Sequence, residues 1–433
     1  MQHIRLPKRP IANRFFKTKM TLVIVGFVGA LAVSTQAAEP TATPRHPLTE
    51  AKSLRLALAR PAVQLLDTAR LALAQSDVTQ AGRWSNPQFQ YQREEVDRAS
   101  GDMTDEFFWL SQRFEISGQR GLRKRAAEER VGAAALATDA ERAQIEAATR
   151  TLFYQAVHQQ ARVRAIEAWT GRMSAIEAII RKRQAAGDVS GYDALRLSRE
   201  RASAEAALRQ ERARYRRIWA ALSAVLGGPG VAAPYDGVAG ELLPGHPAPL
   251  NELLAGLVNR PDLAQLEREA AAHDLERRAE ERGWVPELTV GVGQKVVDDE
   301  LGRDSGPMVS AGISIPLFDR GQSESQRASA LAAIARSEFQ LALTAAEGEV
   351  RGGWQEVTEL IATAQAQRDA GHADALRLIE IAEAAYRGGE LGVLELLDAY
   401  RGAHEIELLV LTLAASARQA RIELDRLTGG PAL

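Results

Sequence analysis

Two kinds of hydrophobic pattern alternate along the chain, and each occurs twice. From Pro286, Leu288, Val290 and Val292 alternate with Thr289, Gly291 and Gly293. A second stretch alternates Val309, Ala311, Ile313, Ile315 and Leu317 with Ser310, Gly312 and Ser314. A period of two predicts two strands joined as a hairpin, at about 287–297 and 307–318. A long proline-free run follows and is interrupted at Gly389-Glu390. The same order occurs from Pro87 to Leu195. Phe89, Tyr91 and Arg93 alternate with Gln88, Gln90 and Gln92; then Leu110, Gln112, Phe114 and Ile116 alternate with Ser111, Arg113 and Glu115. This predicts strands at about 87–97 and 107–117. One such hairpin would suit a soluble sheet. The second copy, apolar on one face and small or polar on the other, has the dyad pattern of a lipid-facing barrel strand.

The long runs predict helices. No proline lies between Pro87 and Pro229, or between Pro316 and Pro431. Gln119 to Ala186 would extend roughly 100 Å at about 1.5 Å per residue. Helices of that length must pack lengthwise on one another. Gly121 and Gly321 are placed at the openings of the two runs. Gly187 suits a left-handed C-terminal cap, and Ser190 with Asp193 reads as a capping box for a returning helix. Gly389, Gly392 and Glu395 repeat the scheme. Leu54, Leu58, Leu65, Leu66 and Leu73 predict one helix from Leu48 to Gly82, repeated by Leu250 to Gly283. Trp84 and Trp284 precede the two strand-opening prolines. The halves are expected at 38–226 and 250–433, joined by a Pro/Gly-rich connector at 227–249, with tip turns at 187–193 and 388–395. The period is near 200 residues, far beyond solenoid repeats, so each copy is a whole structural half.

The 433 residues carry a net charge of −2 with 25% charged residues, which points away from nucleic acid. There is no cysteine, so disulfides, thiolate metal sites and a lipidated N-terminal cysteine are not expected. Arg9, Arg14, Lys17 and Lys19 precede an apolar stretch from Leu22 to Val33, and Ala37-Ala38 follows. This predicts a secretory signal at 1–37, with Met20 an alternative start. Export makes ATP-driven chemistry unlooked-for. No GxSxG, HExxH or P-loop pattern occurs. His404 and Glu407 share a helix face, but such pairs are common; five methionines and no cysteine do not make a soft-metal relay. The cations Arg120, Arg123, Lys124 and Arg125 crowd a helix start, where they fit either phospholipid headgroups or a solvated face.

This order of helix, hairpin, long helix, turn and helix, duplicated behind a signal, resembles the TolC-like outer-membrane efflux family. Asn86-Pro87 before the first strand carries the resemblance. So does Arg113-Phe114-Glu115-Ile116-Ser117-Gly118-Gln119-Arg120-Gly121, which is similar to the branch paired with heavy-metal resistance-nodulation-division pumps. The resemblance implies a mainly α fold with a membrane β portion. Three chains would form a twelve-stranded barrel on an α-helical periplasmic tunnel. That agrees with physics, since four strands cannot close a barrel whose edges must all be paired. It implies a Gram-negative outer-membrane protein in contact with outer-membrane lipid. The partners would be a periplasmic adaptor (membrane fusion) protein and an inner-membrane pump. It implies no enzyme activity, no cofactor and no resident metal.

Residue by residue, Tyr386 resembles the family's latch tyrosine and Asp193 its partner, while a basic latch residue expected near Leu391 is missing. Glu395 and Asp398 resemble acidic positions that ring the periplasmic entrance; by residue type alone they would also serve as helix-terminal acids. The tips Gly187, Val189, Ser190, Gly389, Leu391 and Gly392 are expected to meet the adaptor. Val290, Ile313 and Ile315 are expected to face lipid. A general drug or solvent duct of the same family is the rival function. A coiled-coil adaptor would carry a single helical hairpin between lipoyl-like and barrel strands. A structural envelope coiled coil would lack the alternating strands.

Overall fold

The computed structural model describes residues 46–97, 102–187, 190–299 and 301–429. The expected signal 1–37 and the tip residue Val189 lie outside them. The first half runs β1 (His46–Thr49), α1 (Glu50–Leu58), α2 (Pro61–Ala81), β2 (Gln88–Val96), β3 (Met103–Phe114), α3 (Gln119–Ala186) and α4 (Gly191–Leu226). A short α5 (Pro229–Ala232) and β4 (Tyr235–Ala239) follow. The second half runs α6 (Leu250–Gly256), α7 (Pro261–Glu280), β5 (Glu287–Asp299), β6 (Gly302–Ser314), α8 (Gln322–Ala366), α9 (His372–Gly388) and α10 (Val393–Leu427).

The single helix expected from Leu48 to Gly82 is two helices. Arg60 is extended, with φ −60° and ψ 129°, because a residue before proline avoids the helical region; Pro61 then opens α2. The second half repeats the break at Arg260, with φ −60° and ψ 133°, before Pro261. Leu48 belongs to β1, which pairs in parallel with β4, so the connector is folded onto the first half. Gly118 and Gly321 start the long helices, with φ 76° and φ 78°. Gly121, expected in that role, lies inside the first turn of α3.

α3 is continuous for 68 residues. Its counterpart is interrupted by a π-helical turn, Gln367–Gly371, between α8 and α9. α3 packs against α2, α4, α7 and α10, and α8 against α7 and α10. The apolar core is correspondingly distributed. One cluster joins Trp169, Met173, Ile180, Ile379 and Leu396 near the tips. Two lie at mid-length, around Phe153 and Leu222 and around Val357 and Leu424. A small one, with Leu122 and Leu275, lies where the helices meet the strands.

The four long strands form one antiparallel sheet in the order β2-β3-β5-β6. β3 begins earlier than expected, at Met103, and β6 at Gly302. β6 also ends earlier, at Ser314, so Ile315 lies in the passage before Pro316 rather than in the lipid-facing strand position expected of it. The register sets the two faces. Phe89 pairs with Leu110, Leu110 with Val292, and Val292 with Val309. Val290 pairs with Ala311, and Leu288 with both Phe114 and Ile313. Directly paired residues share a face, so these side chains make one apolar band. It is bare: Phe89 is 67% exposed, Val309 80% and Ile313 61%. The opposite face carries Gln90, Ser111, Thr289, Ser310 and Gly312. There Trp109 lies on the glycines of β5: a Cβ on Gly291 would stand 2.8 Å from its indole, and one on Gly293 2.4 Å. Among the described residues no helix is long and apolar enough to cross a membrane.

Candidate functional site

The far ends of the long helices are built by glycine. Gly187 and Gly389 adopt φ 91° and φ 79°, a region closed to most side chains. The Gly389 N–H donates to the Tyr386 carbonyl at 3.2 Å and the Glu390 N–H to the Ala385 carbonyl at 2.9 Å, which closes α9 with a six-to-one bond. Ser190 caps α4: its hydroxyl accepts from the Asp193 N–H at 3.2 Å and donates to the Asp193 carboxylate at 2.7 Å. Gly392 precedes α10 without a side-chain cap. The Glu395 carboxylate folds back toward it, so that a Cβ on Gly392 would lie 2.8 Å from Oε2. Leu391 turns inward and packs on the tip cluster.

The latch pair expected between Asp193 and Tyr386 is not formed in this chain. Asp193 is committed to Ser190. Tyr386 is buried in the tip cluster and its hydroxyl has no hydrogen-bond partner among the described residues. A cation from α3 does approach the ring: the Arg183 guanidinium lies 4.9 Å from the Tyr386 ring centroid. Hydrogen bonding between tip helices falls to residues with no motif around them. The Tyr400 hydroxyl donates to Glu383 across α10 and α9, and Arg387 meets the same carboxylate at 3.0 Å. Burial first, and then the Glu383 carboxylate, push the Tyr400 hydroxyl above its usual pKa. Arg401 of α10 reaches Glu200 of α4 at 3.1 Å. Arg201 of α4 reaches the buried Glu177 of α3.

Tyr400→Phe should therefore loosen the tip more than Tyr386→Phe. The first removes a hydrogen bond to a charged group, worth about 1.5–3 kcal/mol. The second removes a hydroxyl with no hydrogen-bond partner among the described residues. Thermal unfolding of the two purified variants measures the difference, and an equal loss would show that Tyr386 is held across a chain boundary.

Glu395 and Asp398 are both exposed on α10, three residues apart and hence on one face. Neither meets a cation among the described residues, whereas Glu383 and Glu200 nearby each meet an arginine. Buried Leu396 and Leu397 point the other way, into the tip cluster. His404, further along α10, is not arranged as a ligand. Its ring packs edge-on against Trp169 at 4.4 Å, and its Nδ1 is buried without a partner among the described residues. Burial, with Arg162 and Arg172 nearby, lowers its pKa to about 4, so the ring is neutral at ordinary pH. Among the described residues, no three His, Cys, Asp or Glu side chains are placed to hold a metal ion.

Residues 255–430 match the family model described as outer membrane efflux protein. Over 328 residues the chain is 25% identical to the nickel-cobalt-cadmium resistance protein NccC of Alcaligenes xylosoxydans xylosoxydans, covering 73% of this chain and 70% of that one. Over 272 residues it is 28% identical to the nickel and cobalt resistance protein CnrC of Cupriavidus metallidurans, covering 62% of this chain and 64% of that one. The fold matches the outer membrane protein VceC of Vibrio cholerae with a TM-score of 0.69 at 19% identity, over 88% of this chain and 96% of that one. In residues 255–430 the chain is thus similar to the outer membrane efflux protein family, and its fold is that of the outer membrane protein VceC.

Proposed function

We propose that this chain is the outer-membrane exit duct of a three-part efflux system and that it passively conducts heavy-metal cations. The observation that carries the duct is the sheet β2-β3-β5-β6. One of its faces is an exposed apolar band, and β2 and β6 each have only one neighbour among the described residues. Open edges at membrane depth must be paired. Three copies would join edge to edge into twelve strands, within the known sizes of membrane barrels. The long helices then continue the barrel as a periplasmic tunnel whose far end carries Gly187, Ser190, Gly389, Leu391 and Gly392, where an adaptor linked to an inner-membrane pump would dock. Residues 1–37 act as the export signal.

The cargo reading is supported by the relatives, which are named for nickel, cobalt and cadmium resistance. The chain's own exposed carboxylates at the tips suit cations. Nothing in the duct makes or breaks a bond. Deleting the gene should lower tolerance to nickel, cobalt and cadmium salts and leave tolerance to organic dyes and solvents unchanged. Loss of dye tolerance with metal tolerance intact would establish the general drug duct instead.

A further inference from the structure

The junction of the first hairpin with its long helices carries a groove of about 680 Å³ between the end of α2 and the start of α3. Val78 of α2 and Gly82 just after it line one side; Arg120, Lys124 and Glu128 line it from α3. Its side of the molecule is set by a chain of contacts. Phe114 belongs to the apolar band, in register with Leu288. Trp84 stands edge-on to Phe114, with centroids 5.7 Å apart. Arg120 lies over Trp84 at 3.7 Å and donates to the Gly82 carbonyl at 3.0 Å. The groove therefore opens beside the base of the apolar band.

Its charge is incompletely neutralised. Arg123 is taken by Glu115. Arg120 has no carboxylate partner among the described residues, and Lys124 has only Glu128, at 3.6 Å across solvent. The Lys124 stem runs over Gly82, where a Cβ would lie 3.6 Å from its Cδ, and this leaves the ammonium at the mouth. Trp84 is 50% exposed and Trp284, at the other junction, 63%. Tryptophans at this level mark a membrane interface. The cavity at the second junction, about 310 Å³, is lined instead by Glu280, Glu287, Asp319 and Glu324.

We propose that the α2–α3 groove binds the headgroup of an anionic membrane glycerophospholipid. The phosphodiester sits between Arg120 and Lys124, and the acyl chains rise over Phe114, Leu288 and Ile313. The proposal rests on the membrane reading of the sheet. Anionic charge is favoured over a zwitterionic headgroup because the groove holds two cations and one carboxylate, and basic clusters at a membrane surface select anionic lipid.

The test uses the full chain in detergent, titrated with phosphatidylglycerol or phosphatidylcholine carrying brominated acyl chains, with tryptophan quenching as the readout. Trp84→Phe isolates the contribution of the site. Phosphatidylglycerol should quench the Trp84 component at a several-fold lower concentration than phosphatidylcholine. Lys124→Gln, an exposed change, and Arg120→Lys, which keeps the charge but loses the stacked guanidinium, should each reduce that preference. Equal quenching by both lipids, or a preference that survives Lys124→Gln, overturns the site and leaves the membrane reading intact. Absence of quenching by either lipid overturns the membrane reading itself. If inorganic phosphate abolishes the phosphatidylglycerol preference at equal concentration, the groove is a soluble-phosphate site and the lipid assignment fails.

Discussion

Arginine at Val290 or Ile313 should largely abolish recovery of the assembled membrane protein, while arginine at Gly312 should leave it intact. Val290 and Ile313 lie in the bare apolar band, in register with Ala311 and Leu288. A lipid-facing arginine costs about 2–4 kcal/mol at the bilayer midplane. That cost recurs in every copy of an oligomer, and a domain's whole stability is only about 5–15 kcal/mol. Gly312 lies on the opposite face, opposite Thr289, and a Cβ there meets nothing within 4 Å. Gly291 also faces that way, but it is not a neutral position because Trp109 covers it. Gly293→Val should reduce assembly by driving its side chain into the indole and the Phe108 carbonyl. Ile315, beyond the end of β6, should tolerate a charge better than Ile313. The measurement is the amount of the proposed trimer, seen as a heat-modifiable band on gels of outer-membrane fractions. Equal recovery of the Ile313 and Gly312 arginine variants would mean the exposed band does not face lipid.

The elements most legible in the sequence are those fixed by local chemistry. Alternation at Leu288–Val292 marks a strand because successive side chains point to opposite faces. The glycines at positions 187 and 389 mark helix ends because a residue at positive φ is required there. Pro61 sits inside a good helical periodicity, which hides a break set by the residue before it. What remained hidden depends on residues distant in sequence. The β1–β4 pair joins Leu48 to Val238. The π turn at Gln367–Gly371 leaves both composition and apolar spacing unremarkable. At the tip, Tyr386 resembles a latch tyrosine, yet its hydroxyl bonds nothing among the described residues. The bonds lie at Tyr400–Glu383 and Arg401–Glu200, whose pairing follows from which helices pack side by side. The Trp109 slot had a visible signal in two alternate glycines, Gly291 and Gly293, on one face of a strand. Their neighbour could be identified only from the register.

Replacing Asp398 by Asn and Glu395 by Gln should lower cation selectivity and weaken block by trivalent cations in planar-bilayer recordings. The two acids share an exposed face of α10, and in the proposed trimer three copies of each would surround one axis. Like charges gathered at a narrow opening attract cations, as acidic rings do in cation-selective pores. Each carboxylate within about 4 Å of a bound cation contributes on the order of 1 kcal/mol even in water. Losing several should raise the blocking concentration by about tenfold or more, since 1.4 kcal/mol is a factor of ten. The single variants separate this role from a purely structural one. Glu395 folds back on Gly392 at the third helical position, where an acid stabilises a helix start. Glu395→Gln should therefore cost some stability, about 0.3–1 kcal/mol for the lost charge at a helix N-terminus. Asp398 stands nearly a turn further on, with no such contact, so Asp398→Asn should leave thermal stability unchanged and still shift selectivity. If Asp398→Asn alters neither, and only Glu395→Gln has an effect, through stability, the acids serve the helix end and the selecting constriction lies elsewhere in the duct.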